Sequence, residues 1–232
     1  FRLGVLKAHY FAEISQINQS ISIPVASPRG IIYSREGQVL ADNKRLFELW
    51  VIPSKIKDLD QDNLLNGISV ILNISRQTLE EKLSKNAGRA SFILENEVSP
   101  EQKEKLSSLN APGFLVVEGF RRAYLSGETF SHLLGYVSDS DKLGRGGIEG
   151  YYDQALKGEN GKVVLARFTD EVSSKASQSG RNLVLNVDSS LQKSLYSELN
   201  QGLRQAGLRS GAVVAMDPRD GRILALLSLP AF

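Results

Sequence analysis

The chain has 232 residues, of which 41% are hydrophobic and 23% charged, and its formal net charge is +2. This length suits one large or two modest domains, and the near-neutral charge, with no basic run longer than Arg121-Arg122, gives no electrostatic case for nucleic-acid binding. The sequence contains no cysteine, which excludes disulfides, zinc–thiolate sites and cysteine nucleophiles.

The first 17 residues have the spacing of an amphipathic helix. Apolar side chains recur there every three or four residues, at Leu3, Leu6, Tyr10, Ile14 and Ile17. No capping residue precedes them, which predicts that the helix continues upstream, and the closing stretch GRILALLSLPAF predicts a strand that leads into further chain. We therefore expect a fragment of a longer protein. The sequence has no run of about 18 apolar residues and predicts no membrane span of its own.

Residues 21–52 predict extended chain with a tight hairpin inside it. The stretch SPRGIIYSREGQVLADN, residues 27–43, places two short apolar runs around a polar turn at Ser34 to Gly37. Glycine at the end of this turn permits a positive φ, which a tight hairpin requires. We expect the two runs to pair as antiparallel strands.

A helix-rich piece follows, over residues 53–113. Two helices are predicted in DLDQDNLLNGISVILNI and SRQTLEEKLSKN, the second capped by Ser75, and SFILENE predicts a strand. Ser99, Pro100 and Gln102 then form a complete capping box at the start of a third helix. Because FLVVEGFRRAY is extended again, we expect an inserted subdomain with few core contacts to the rest of the chain.

The second half alternates strands and helices, so the predicted fold class is α+β. GKVVLARF and NLVLNV predict strands, and a strong amphipathic helix runs from its cap Asp188 to Gly207. A last hairpin, GAVVAMDPRDGRILALLS, turns where Pro218 presets φ and Gly221 permits a positive φ.

A group of glycines after residue 143 is the first candidate for chemistry. These are Gly144, Gly146, Gly147 and Gly150. They miss the spacing of a dinucleotide-binding loop, and no strand precedes them, whereas such a loop needs backbone amides at a strand-to-helix junction. Gly158, Gly161 and Lys162 likewise fail the spacing of a phosphate-binding loop. We interpret the glycines as a turn that opens a helix, and we predict no cofactor.

Glu149 and Asp153 are the next candidates, four residues apart on one predicted helical face. A glycosidase needs two carboxylates across a cleft, one of them with a raised pKa. Two acids near a helix N-terminus more often form a solvated face, since negative charge is favourable there. We prefer the solvated face and keep a carboxylate-based hydrolase as an alternative.

The remaining candidates are histidines and serines. His9 and His132 have no ligand-spaced neighbours, so we predict no metal site, and Ser131 next to His132 is not a triad. Two S-x-x-K tetrads occur, at Ser54 to Lys57 and Ser190 to Lys193, and SLN at 108–110 mimics S-x-N. No K-T-G or K-S-G accompanies them. We therefore predict no catalytic residue in this chain.

Four blocks in order resemble class B penicillin-binding proteins. PRGIIYSREGQVLADN is similar to P-R-G-x-I-x-D-R-N-G-x-x-L-A-x-N, and RRAYLSGETFSHLLGYVS to R-R-x-Y-P-x-G-x-x-x-x-H-x-L-G-Y-V-G. GRGGIEGYYDQALKGENGK is similar to G-x-x-G-L-E-x-x-Y-D-x-x-L-x-G-x-x-G, and LVLNVDSSLQKSLYSEL with SGAVVAMDPRDGRILALLSLPAF resembles the entry to the transpeptidase domain. The sequence departs from the family pattern at Ser34, Glu36, Leu125 and Ser138.

The resemblance implies an elongated pedestal of β-hairpins with an inserted head, followed by the start of a transpeptidase domain. The implied parts are a juxtamembrane helix (1–20), an anchor or pedestal (21–52 and 114–180), the head (53–113) and a truncated penicillin-binding domain (181–232). The implied parent is a serine-type D,D-transpeptidase on the extracytoplasmic face of a bacterial membrane, anchored by a transmembrane helix upstream. Its catalytic motifs would lie downstream, so none of them maps onto this sequence.

The resemblance also implies partners. These are a membrane peptidoglycan glycosyltransferase of the SEDS type, an elongation scaffold protein and peptidoglycan, while β-lactams would bind only through the downstream domain. The head and the GYYDQALKG block favour the elongation type, and the division type stays open. A stand-alone cell-wall adaptor without a catalytic domain is a further alternative.

Overall fold

A computed structural model of the chain describes residues 20–56, 61–166 and 172–231. The predicted helix over residues 1–17 lies outside these ranges. The chain divides into two compact units: the first takes in the described residues of 20–26, 45–120 and 160–177, and the second those of 27–44, 121–159 and 178–231. Strands β3 (Val39–Val51) and β5 (Phe114–Tyr124) pair with each other and contribute residues to both units.

The first unit contains a three-stranded antiparallel sheet. Its strands are β1 (Ser20–Val25), β8 (Gly161–Ala166) and β9 (Val172–Lys175), in the order β1-β8-β9. Ser20 lies opposite Ala166 in the β1–β8 register. Alternate side chains of β1, Ile21 and Ile23, are buried, as expected for a strand with one covered face.

The helix-rich piece also belongs to the first unit. It comprises α1 (Gln61–Leu72), α2 (Arg76–Lys85), β4 (Phe92–Val98) and α3 (Pro100–Ser108). Both predicted caps form: the Ser75 hydroxyl accepts from the Thr78 amide at 3.1 Å, and Ser99 and Gln102 make a reciprocal capping box. These local signals start the helices where the sequence predicts.

The expectation that this piece shares few core contacts with the rest of the chain is wrong. Leu49 and Val51 of β3 are fully buried in the same hydrophobic core as Leu65, Ile68 and Leu79 of the helices. Strand β4 pairs with β3 as well, with Val51 opposite Phe92. The helices are stabilised by packing their apolar faces against another element, and here that element is β3. Because β3 lies outside residues 53–113, the sequence pattern of the insert does not reveal this contact.

The second unit begins with the predicted hairpin. Strand β2 (Ile32–Tyr33) pairs antiparallel with the start of β3, the Gly37 amide donates to the Ser34 carbonyl at 3.0 Å, and Gly37 has φ 81°. Strand β10 (Leu183–Val184) pairs parallel with β2 and is shorter than the NLVLNV stretch predicted. The core here is formed by buried residues of β2, β3, the short helical elements and the segment after β10: Ile32, Leu40, Ala41, Phe130, Leu134, Leu156 and Val187.

Short elements fill the middle of this unit. They are a 3-10 turn at Gly127–Phe130, α4 (Ser131–Leu134), β6 (Tyr136–Val137), β7 (Gly144–Arg145), α5 (Gly147–Tyr151) and α6 (Asp153–Leu156). The chain ends with α7 (Ser189–Ala206) and the antiparallel pair β11 (Gly211–Met216) and β12 (Ile223–Leu229). Asp188 caps α7 and Gly207, in the left-handed conformation, ends it, as predicted.

The fold class is therefore α+β, as the sequence predicts. Within the described ranges, no helix is both long and apolar enough to cross a bilayer.

Candidate functional site

Arg29, in the Pro-Arg-Gly triplet before β2, is buried in the second unit with 8% of its side chain exposed. Its Nε and Nη2 donate to the Glu149 Oε2 atom at 3.1 and 2.8 Å, and its Nη1 donates to Asp153 Oδ1 at 2.9 Å. Asn43 brackets its backbone, since the Asn43 Oδ1 accepts from the Arg29 amide at 3.1 Å and Nδ2 donates to the Arg29 carbonyl at 2.7 Å. The arginine is thus fixed at both its backbone and its guanidinium.

Glu149 on α5 receives a second arginine. Its side chain is 0% exposed, and its Oε1 accepts from Arg122 Nε on β5 at 2.6 Å. Arg122 is itself 3% exposed, and among the described residues neither of its Nη atoms meets an acceptor. Two arginines and two carboxylates therefore share one site, and their formal charges cancel. We name this site the Arg–Glu cluster (Arg29, Arg122, Glu149 and Asp153). Burial of such charges is tolerated only when they are paired and hydrogen-bonded.

Asp153 links the cluster to the glycine-rich stretch. Its Oδ1 also accepts from the Gly144 amide at 2.8 Å. A Cβ atom at Gly144 would lie 2.0 Å from the Glu149 carbonyl oxygen and 3.1 Å from Arg29 Nη2. Only glycine lets the backbone pass this close, so the packing of the cluster fixes the residue type at position 144.

The loop that carries Arg29 is held on both sides by backbone hydrogen bonds. The Gly30 amide donates to the Leu156 carbonyl at 2.8 Å, and the Gly180 amide donates to the Pro28 carbonyl at 3.0 Å. The Ser27 hydroxyl reaches the Lys157 carbonyl at 2.6 Å. This loop therefore lies between the end of α6 and the segment that leads into β10. These bonds hold the loop so that the Arg29 guanidinium faces Glu149.

Tyr124 lies two residues after Arg122 on β5, so both side chains lie on the same face of the strand. Burial raises the pKa of the Tyr124 hydroxyl above its ordinary value, and the negative charge of Glu149 raises it further. The tyrosine therefore stays neutral beside the cluster at physiological pH.

For Glu149, the predicted solvent-facing position is wrong, because the carboxylate is fully buried between two arginines. Asp153 is 17% exposed. Tyr152 separates the two acids, which lie on two short helices instead of one continuous helix. A glycosidase pair must reach a sugar, and here both oxygens of Glu149 are bonded to arginine and shielded from solvent, so the geometry gives no support to a wall hydrolase.

The other candidates are dispersed. Gly144 forms part of β7, and Gly147 begins α5, so these glycines do open a helix as predicted. Ser54, Ser190 and Lys193 are exposed, while Lys57 and His9 lie outside the described residues. No group of three or more metal-ligating side chains occurs within the described ranges.

Sequence reasoning from local pattern missed Arg29 and Arg122 as site residues. The signal that identifies them is the order of the blocks: Arg29 comes from the first, Arg122 from the second, and Glu149 and Asp153 from the third. The cluster has a structural role, because its charge-assisted hydrogen bonds join three segments that are distant in the sequence.

Residues 24–185 match the family model of the penicillin-binding protein dimerisation domain. The chain belongs to this family. The Arg–Glu cluster lies wholly inside the matched dimerisation domain, so three of the four resembling blocks meet within that domain.

Named relatives agree with this assignment. The probable peptidoglycan D,D-transpeptidase PenA of Neisseria gonorrhoeae is 29% identical over 212 residues, covering 88% of this chain and 36% of that protein. The peptidoglycan D,D-transpeptidase FtsI of Escherichia coli is 29% identical over 216 residues, covering 90% of this chain and 37% of that protein. The chain thus spans little more than a third of the length of these relatives.

A solved structure shares the fold. The structure of a complex between penicillin-binding protein PBP2 and MreC from Helicobacter pylori matches with a TM-score of 0.62 at 22% identity, over 92% of this chain and 43% of that one. The dimerisation domain and the segment after it therefore have the fold found in penicillin-binding proteins.

Proposed function

We propose that this chain is the non-catalytic pedestal of a bacterial peptidoglycan D,D-transpeptidase and that it positions the catalytic domain. The observation that carries the proposal is the Arg–Glu cluster, because its ion pairs join three segments of the matched dimerisation domain. The relatives' names supply the reaction, peptide cross-linking of the cell wall.

In this proposal, residues 21–52 and 114–180 form the anchor, 53–113 the head, and 181–232 the start of the transpeptidase domain. The last assignment is supported by the family match, which ends at residue 185. Contacts in the second unit connect this part to the dimerisation domain. The Arg35 amide of the hairpin turn donates to the Val187 carbonyl at 3.1 Å, and Glu36 Oε2 accepts from both the amide and the hydroxyl of Ser189 at 3.3 Å. The hairpin turn of the dimerisation domain is thus joined to the start of α7.

The experiment that tests the proposal is covalent labelling by a fluorescent penicillin. Acylation requires a nucleophilic serine, a base within hydrogen-bond reach and an oxyanion hole. We expect no label on residues 1–232 alone and stoichiometric label on a longer protein that carries this chain and the downstream domain. A penicilloyl adduct on Ser54 or Ser190, detected by intact mass, would refute the proposal. A longer protein that fails to react would favour the adaptor.

The proposed partners are a membrane glycosyltransferase of the SEDS type and a scaffold protein, at the outer face of the cell membrane. The scaffold is supported by the solved PBP2–MreC complex of Helicobacter pylori, whose fold this chain shares. A pull-down with the purified chain as bait and an MreC-type scaffold as prey tests this directly. Elongation-type function predicts capture, and a chain that binds only division proteins would assign it to the division type.

A further inference from the structure

Gln192 on α7 is a fully buried polar side chain, 0% exposed, whose amide makes three hydrogen bonds. Its Nε2 donates to the Leu226 carbonyl at 2.7 Å, and its Oε1 accepts from the Leu226 amide at 2.8 Å. The same Nε2 also donates to the Thr129 carbonyl at 2.9 Å. One side chain of α7 therefore contacts both β12 and the 127–130 turn.

The bonds to Leu226 are those that a neighbouring strand would make. In an antiparallel ladder, residues two apart present their amide and carbonyl groups on the same edge. Leu224 and Leu226 use this edge of β12, where the Leu224 carbonyl accepts from the Asp188 amide at 2.8 Å and Leu226 bonds to Gln192. Val214 of β11 lies opposite Leu226 on the other edge. Gln192 thus takes the place of a strand residue along this edge of β12.

The third bond brings in the dimerisation domain. Thr129 belongs to the matched range 24–185, whereas β12 lies after it. One helical turn further along α7, the Tyr196 hydroxyl donates to Glu128 Oε2 at 2.9 Å. Both contacts reach the same short turn.

We propose that Gln192 is a positioning residue that couples the 127–130 turn to β12. Because a single planar amide makes all three bonds, neither segment can shift along α7 without breaking its bond to the side chain that also holds the other segment. The structural coupling stands on the geometry alone. We expect the coupling to matter for acylation because it would hold β12 in position within the sheet of a transpeptidase domain. This consequence rests on the proposed function.

The test compares three variants of the 232-residue chain by amide hydrogen exchange. Gln192→Leu keeps the volume and removes every bond, Gln192→Glu keeps the acceptor for the Leu226 amide, and Gln201→Leu changes an exposed glutamine on the same helix. We expect Gln192→Leu to speed exchange of the Leu226 amide roughly tenfold relative to the Leu227 amide, which faces β11. Gln192→Glu should restore most of this protection below about pH 4, where its carboxyl is protonated and can donate, and Gln201→Leu should leave the exchange unchanged.

The pH dependence of stability in the Gln192 variants distinguishes the hydrogen bonds of this side chain from its packing. In Gln192→Glu the carboxylate would face two carbonyl oxygens, which raises its pKa in the folded state above the unfolded value. The stability of Gln192→Glu relative to Gln192→Leu should therefore be highest below about pH 4 and fall as pH rises through the folded pKa. Titratable groups on the elements around position 192 are shared by both variants and cancel in the comparison: Glu128, His132, Asp188 and Tyr196.

Acylation of a longer protein forms the second arm. If the wild type is labelled by penicillin, Gln192→Leu should slow acylation several-fold and Gln201→Leu should not. An unlabelled wild type would refute the proposed function and leave the exchange result standing. Two results would overturn the coupling itself. One is that Gln192→Leu changes the exchange rates of the Leu226 and Leu227 amides by the same factor, and the other is that the stability of Gln192→Glu relative to Gln192→Leu does not change with pH.

Discussion

Arg29 and Glu149 are 120 residues apart in the sequence, and two hydrogen bonds of 2.8 and 3.1 Å join the guanidinium of one to the carboxylate of the other. The Nε–Oε1 bond from Arg122 makes Glu149 the shared partner of two buried cations. Such a residue is far more costly to lose than a surface acid, because its removal takes away the ion-pair partner of Arg122 and leaves Arg29 with Asp153 alone.

Glu149→Gln is therefore expected to lower the free energy of unfolding by about 3 kcal/mol. The amide occupies the same volume but carries no charge to balance Arg29 and Arg122. Urea denaturation of the purified chain measures the change. Glu198→Gln, an exposed acid on α7, serves as the control and should change stability by less than about 0.5 kcal/mol. Equal effects of the two substitutions would mean that the cluster does not stabilise the fold.

Gly144→Ala should destabilise the protein by about 1–3 kcal/mol, since the new methyl group would lie 2.0 Å from the Glu149 carbonyl oxygen. Gly202→Ala is the matched control, because this helical glycine on α7 has open space around it. Alanine is the better helix former, and the control should gain about 0.5–1 kcal/mol. A stabilised Gly144→Ala protein would show that the backbone does not approach as closely as described.

Gly37→Val tests the hairpin turn. Gly37 has φ 81° and no atom lies near the position of a Cβ, so the expected cost comes from backbone strain and not from a clash. A β-branched residue in this conformation costs on the order of 1 kcal/mol or more, which lowers the melting temperature by about 2–4 °C in a protein of this size. Gly88→Val, at a glycine in open space without a positive φ, controls for the added side chain. An unchanged melting temperature for Gly37→Val would contradict the turn.

Glu36 should make stability depend on pH. Desolvation alone would raise its pKa, but hydrogen bonds from the Ser34 side chain and the Ser189 amide outweigh it and lower the pKa below the ordinary value. The stabilisation is therefore fully present above the unfolded pKa, near 4.3, and is lost as pH falls through the folded pKa. Relative to Glu36→Gln, the wild type should lose its advantage below about pH 4 in denaturation curves measured from pH 7 to pH 3. A difference that stays constant over this range would exclude the contribution.

The departures from the family pattern at Ser34 and Glu36 acquire a structural role in the same turn. The Ser34 hydroxyl accepts from the Gln38 amide at 3.2 Å, and Glu36 bonds to the start of α7. Serine is one of the short polar residues that satisfy turn amides in this way, so the hairpin keeps its geometry.

Local structure followed from the sequence wherever the deciding contacts lie within a few residues. Ser75, Ser99 and Asp188 cap their helices through amides two or three positions ahead, and Gly37 and Gly207 adopt the positive φ that their turns need. These preferences are properties of short segments and do not depend on the rest of the fold. The order of the four blocks in turn identified the family before any contact was known.

Only the tertiary structure decided what Glu149 and Gln192 do. Local pattern favoured a solvated acid at position 149 and placed position 192 within a helix without assigning it a role. The partners of Glu149 lie 27 and 120 residues away, and those of Gln192 lie 34 and 63 residues away. Burying a polar group is favourable only when its hydrogen bonds are met, and whether they are met depends on which distant segments the fold brings together. The sequence carries the residues, whereas the packing of α5 against the Arg29 loop and of α7 along β12 assigns their roles.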